Sequence, residues 1–212
     1  TGSLIISVAS DDRDKYSEVL GQGKDEMTIM VYLCGTDLES RSKMATSDLQ
    51  EMLNAELSDK INLIVYTGGC NRWQNNLLNS STNQIWQVLD DGMVCLEENV
   101  GNKSVTDPAT LSSFIRWCAS KYPANRQALI FWDHGGGSIS GFGYDEKFSS
   151  SGSMDLAEIN QALTDGGVKF DFVGFDACLM ATTETALMLT EHADYLIADA
   201  VAQQIDREHA GF

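Results

Sequence analysis

Basic residues are scarce in this chain: 14 Lys and Arg stand against 31 Asp and Glu, a formal charge of −17. That balance argues against nucleic acid or an anionic membrane as partner, because both are bound through Lys and Arg. It suits a cationic substrate or divalent cations, although acidity also serves solubility alone. Long apolar runs are missing as well. No stretch reaches the roughly 18 residues of a membrane span, and residues 4–8 are too short and lack the basic flank of a signal-peptide core. An exported form would already have lost its signal. Cys34, Cys70, Cys95, Cys118 and Cys178 are odd in number and dispersed, without a C-x-x-C pair. They define neither a zinc site nor a disulfide framework. Histidine is limited to His134, His192 and His209. No G-x-S-x-G elbow follows the one HGGG segment, which sets aside a serine hydrolase. No D-x-[DN]-x-[DN]-G loop is present, so no motif supports calcium.

What is present is a regular alternation of strands and helices. The chain has 212 residues, 43% of them hydrophobic, enough for one core. Residues 1–26, with their DDRDK and GQGKDE clusters, read as a loose arm, and 27–212 as one domain. Residues 27–34 (MTIMVYLC) form the first strand. A turn at 35–39 leads to a helix over about 40–56, whose Met44, Leu49, Met52 and Leu53 make an apolar stripe. Residues 61–67 form the second strand, and 68–82 a polar loop. Asp90-Asp91-Gly92 closes a hairpin between 84–89 and 93–97. Asp107-Pro108 opens a helix that buries Leu111, Phe114, Ile115 and Cys118 and ends near Tyr122-Pro123. After the strand at 128–133, the Gly- and Ser-rich stretch 135–152 is long enough to suggest function. A helix at 154–163, a strand at 170–175, a helix at 179–189 and a strand from 195 complete the series. The pattern predicts a three-layer α/β/α sandwich around a mostly parallel sheet.

Two of these strands end in reactive side chains. ALIFWDHGGG runs from a buried strand into Asp133, His134 and the glycines 135–137, and FDFVGFDACLM from another into Asp176 and Cys178. A lone cysteine is most often a core thiol. At a strand's carboxyl end, however, it sits where open α/β sheets bind ligands, and a following helix would favour its thiolate. If the two strands are neighbours, a thiolate nucleophile and an imidazole base share one edge. His192, near the end of the following helix, is expected at the surface, which leaves His134 for the base. Cys34, Cys95 and Cys118 are read as core thiols.

This pair of segments resembles the clostripain-like cysteine peptidases, relatives of caspases, legumains and gingipains, over roughly residues 28–198. The resemblance implies a caspase-like sandwich and a Cys178–His134 dyad, with no third orienting residue. The backbone N–H groups of Gly135 and Cys178 are expected to form the oxyanion hole. Asp176, leaving the same sheet face as Cys178, is implied as the acid for a P1 Arg or Lys, with Asp133 as a second pocket or orienting acid. It further implies self-cleavage between Lys147 and Phe148, export to the cell envelope or beyond, and in some relatives calcium. Relatives continue beyond the last strand, so the far wall of the pocket and association with a missing C-terminal segment enter as expectations. An inactive scaffold that binds basic peptides through the same cleft is the alternative.

Overall fold

The structure, a computed structural model, describes residues 24–200 together with the backbone of residues 3–7. Eight strands form one sheet in the order β1-β8-β7-β6-β2-β3-β4-β5. They are β1 (Ser3–Ser7), β2 (Met27–Cys34), β3 (Ile61–Gly68), β4 (Gln84–Leu89), β5 (Gly92–Glu97), β6 (Arg126–Trp132), β7 (Phe170–Asp176) and β8 (Ala193–Asp199). The central β8, β7, β6, β2 and β3 are parallel, and β1, β4 and β5 are antiparallel additions at the two edges. Ser3–Ser7, expected in a loose arm, thus pairs with β8. Residues 8–23 and the tail after 200 lie outside the described residues.

The central strands are continuous apolar runs because a parallel strand is covered on both faces. One face carries α3 (Pro108–Lys121), α5 (Leu156–Gly166) and α6 (Thr183–Leu189), which bury Leu111, Phe114, Ile115, Ile159, Leu163 and Leu189 against Tyr32, Leu129, Phe131 and Phe175. The other face carries α1 (Thr36–Ser40) and α2 (Met44–Leu53) over Val31, Leu33, Val65 and Trp132. Phe131 and Phe175 stack with centroids 4.6 Å apart and planes 5° apart. That pair bridges β6 and β7 and contributes about 0.5–1.5 kcal/mol beyond its buried area. At the opposite end Asp171 accepts from Arg126 Nε at 2.7 Å and Gln127 N–H at 3.0 Å, fixing the same two strands.

The helices depart from expectation at three points. The turn expected at 35–39 is the short helix α1, and the helix expected over 40–56 runs only from Met44 to Leu53, the two separated at Lys43, whose φ of 61° is left-handed. The helix expected from 154 starts at Leu156, behind an Asp155–Glu158 capping box, because Met154 is bridged to Phe142 instead. The helix expected directly after Cys178 starts at Thr183 with Thr182 as its cap. Leu179, at φ 62°, turns the chain away in between.

Candidate active site

The parallel register of β6 and β7 pairs Trp132 with Asp176. His134 and Cys178 each follow two residues later, so they leave neighbouring strand ends at matching heights and on one sheet face. Both line a cleft with Leu38, Met44, Asp48, Trp132, Asp133, Asp176 and Ala177. Cys178 is half-buried, and the His134 side chain is 43% exposed, so both can be reached by a substrate. The helix-dipole argument for a thiolate at Cys178 does not hold: α6 begins five residues further on.

Gly135 is required by this approach. A Cβ there would collide with the carbonyl oxygen of Cys178. The 135–143 hairpin, which holds the short α4 (Gly137–Ser140), is closed by Gly136 N–H to Gly141 O (2.8 Å) and Gly143 N–H to His134 O (2.8 Å). The N–H of Gly135 takes part in neither bond.

His134 has a partner that the sequence reading did not provide. Its Nε2 lies 2.8 Å from Asp37 Oδ1, in the first turn of α1, directly after β2. Tyr144 donates its hydroxyl to the same oxygen at 2.6 Å and stacks on the imidazole, with centroids 5.7 Å and planes 20° apart. Partial burial pushes the Asp37 carboxyl up, but the Tyr144 and His134 bonds outweigh it and hold the group below its ordinary range. An ionised carboxylate only accepts, so the hydrogen belongs on Nε2 and Nδ1 is the free base nitrogen.

Asp176 is at the cleft rim. Desolvation by surrounding protein raises its pKa, and Asp199 and Glu51 raise it further. Asp48, also missed in the sequence, stands on α2 in the same cleft, its Oδ2 held by Trp132 Nε1–H at 2.6 Å. Its pKa is raised by desolvation against the Trp132 bond, with Asp176 and Glu51 adding to the rise. Asp133, expected as a second pocket or orienting acid, lines the same cleft but is only 3% exposed. It accepts from Thr36 Oγ1 at 2.8 Å and from Tyr144 N–H at 3.1 Å, and burial drives its pKa well up.

Lys147 is not in the cleft. It lies beyond the ends of β3 and β4, where its Nζ donates to Ser80 O at 3.0 Å and its N–H to the buried Asp145 at 2.8 Å. His192, expected at the surface, is buried, with Nε2 2.8 Å from Asn160 Oδ1. Cys34 and Cys118 are fully buried, and burial raises both thiols; Cys95 is only partly covered. Among the described residues, no three His, Cys, Asp or Glu side chains are grouped to hold a metal ion, and no helix is long and apolar enough to cross a membrane. Calcium, which the resemblance allows, thus has no group of three carboxylates among the described residues to hold it.

A mostly parallel sheet with a cysteine and a histidine on adjacent strand ends defines a caspase-like cysteine peptidase fold. The clostripain family model, peptidase C11, matches residues 31–204, and the chain belongs to that family. Clostripain of Hathewaya histolytica is 25% identical over 198 residues, covering 78% of this chain and 36% of that protein. Among solved structures, a secreted C11 cysteine protease from Bacteroides thetaiotaomicron, in complex with an irreversible peptide inhibitor, is 26% identical with a TM-score of 0.63. The match covers 81% of this chain and 48% of that one. An inactive zymogen C11 protease from Parabacteroides distasonis is 25% identical with a TM-score of 0.66, covering 85% and 50%. The chain therefore spans about half the length of these solved relatives and about a third of the curated one.

Proposed function

We propose that the chain carries the catalytic centre of a cysteine endopeptidase that cleaves after Arg or Lys. The observation behind this reading is that His134 and Cys178 leave adjacent parallel strands into one cleft whose wall holds Asp176 and Asp48. Cys178 Sγ attacks the scissile carbonyl carbon while its proton passes to His134 Nδ1. The tetrahedral oxyanion is met by the N–H groups of Gly135 and Cys178. Collapse breaks the C–N bond, His134 returns the proton to the leaving amine, and a thioester remains on Cys178. Water, deprotonated by His134, hydrolyses it and restores the thiol. The carboxylates of Asp176 and Asp48 lie where a P1 guanidinium or ammonium would relieve their mutual repulsion.

Self-cleavage between Lys147 and Phe148 belongs to the same reading, as does export, which is in keeping with the secreted relative. As placed, Lys147 is held by Asp145 and Ser80, so those bonds must open before its peptide bond reaches any cleft.

The test is a peptidyl acyloxymethyl ketone with P1 Lys or Arg. It should form a covalent adduct with the wild-type chain and none with Cys178→Ala, and Cys178→Ala should turn over no P1-Arg or P1-Lys peptide. Reversible binding of a basic peptide without any adduct would replace the peptidase by the scaffold reading.

A further inference from the structure

The residues around the imidazole make a connected support whose parts come from three separate segments. Asp133 immediately precedes His134, and its side chain is buried. One of its oxygens accepts from Thr36 Oγ1 and the other from the Tyr144 N–H. Thr36 is itself buried and left-handed, with φ 47°. A β-branched residue pays for that conformation in strain, which persists only where neighbours over-determine it. Asp133 supplies that restraint, and the residue so presented next is Asp37. On the other side, Gly143 lets the chain pass: its φ is 67°, and a Cβ there would lie 2.8 Å from Asp133 Oδ2. The residue presented next is Tyr144. Asp37 and Tyr144 then close on each other, with Tyr144 Oη donating to Asp37 Oδ1 and accepting from Asp37 N–H at 3.3 Å. His134 is held between them, bonded at Nε2 and stacked on one face.

We propose that Asp37 is the positioning residue of His134, fixing the Nε2–H tautomer and the ring plane, and that buried Asp133 sets Asp37 and Tyr144 in place through Thr36 and the Tyr144 amide. The centre is then a Cys–His–Asp arrangement, not an unaided dyad. The catalytic part of this inference rests on the peptidase reading above. The tautomer part does not.

Two measurements keep these parts separate. In protein carrying 15N-labelled histidine, with a His134→Gln variant identifying the signals, His134 should be the Nε2–H tautomer in the wild type. It should become a mixture of tautomers in Asp37→Ala and shift less in Tyr144→Phe. A wild-type mixture, or an Nδ1–H tautomer, overturns the proposal whether or not the protein is a peptidase. In turnover of a P1-Arg peptide, Asp37→Ala should lower kcat by roughly 100-fold with KM nearly unchanged, because positioning acts on proton transfer and not on P1 binding. Asp37→Asn should fall between the two, since its amide oxygen still accepts from Nε2–H. A wild type that turns over the peptide while Asp37→Ala keeps kcat within about twofold also overturns it. A wild type with no turnover, but with the predicted tautomer, strikes the peptidase reading and leaves the positioning role standing.

Discussion

At the scale of single residues, the acids of the cleft differ in burial. Asp176, two residues before Cys178, is exposed at the rim, whereas Asp133, directly before His134, is 3% exposed and tied to Thr36 and Tyr144. The pKa shifts at Asp176 and Asp48 predict how the cleft responds to pH. In both, desolvation and neighbouring carboxylates raise the value, so the charged form that would hold a P1 cation is lost as pH falls through a midpoint above the ordinary carboxylate range. KM for a P1-Arg peptide should rise across that window, while a peptide with neutral P1 shows no such rise. Asp176→Asn should raise KM for P1-Arg about tenfold or more and flatten the dependence. The stability sign is opposite. A carboxyl whose folded pKa is raised opposes folding when ionised, and that cost disappears as pH falls through the folded value. Asp176→Asn should thus melt no lower than wild type at pH 7 even as activity drops, a separation that thermal melting and steady-state kinetics on one preparation can check. A variant that loses stability and activity together would mark Asp176 as structural.

At the scale of elements, the ends of β6 and β7 must touch for the chemistry to work, and Gly135 is the contact. Gly135→Ala forces its Cβ onto the Cys178 carbonyl, while the pairing from Ala128–Phe172 to Trp132–Asp176 and the Phe131–Phe175 stack hold the strands below. The expected result is a kcat lowered roughly 100-fold with near-wild-type circular dichroism, since about 1 Å of misplacement is enough for such a loss. Unchanged kcat would mean that the strand ends are further apart in action than in this structure. Much of this arrangement is legible in the sequence. MTIMVYLC, ALIFW and FVGF announce buried parallel strands, and DHGGG and DAC announce the chemistry at their ends. What stays hidden has a common cause. Lys43 and Leu179 take left-handed turns that no glycine or asparagine marks, so helix boundaries move. Asp37 meets His134 only because β2 and β6 are neighbours, and it lies 97 residues from it in sequence; Tyr144 is brought back by the 135–143 hairpin. Asp48 owes its place to the indole of Trp132, on a helix whose apolar stripe was the visible signal. Local pattern reveals strands and motifs; contacts across the sheet depend on the order in which strands pair.

At the scale of the whole molecule, the charge of −17 and the acidic cleft act in the same direction. Asp48 and Asp176 line the cleft, and Glu51 and Asp199 are close enough to add to their repulsion. A field of one sign, focused in a concave site, draws in a cationic peptide before contact and raises the encounter rate. This contribution is long-ranged and is screened once the Debye length falls to about 10 Å near 0.1 M salt. A contact between a P1 cation and the partly buried Asp48 would be screened far less. The two contributions can therefore be separated by salt. The second-order rate of Cys178 labelling by a P1-Lys acyloxymethyl ketone should fall several-fold between about 20 and 300 mM NaCl. The same rate for a P1-Ala analogue should stay nearly level, and the residual preference for Lys at high salt should vanish in Asp176→Asn. A P1-Lys rate as flat as the P1-Ala rate would confine the role of charge to the contact itself. The excess of acids elsewhere on the surface would then serve solubility and not capture.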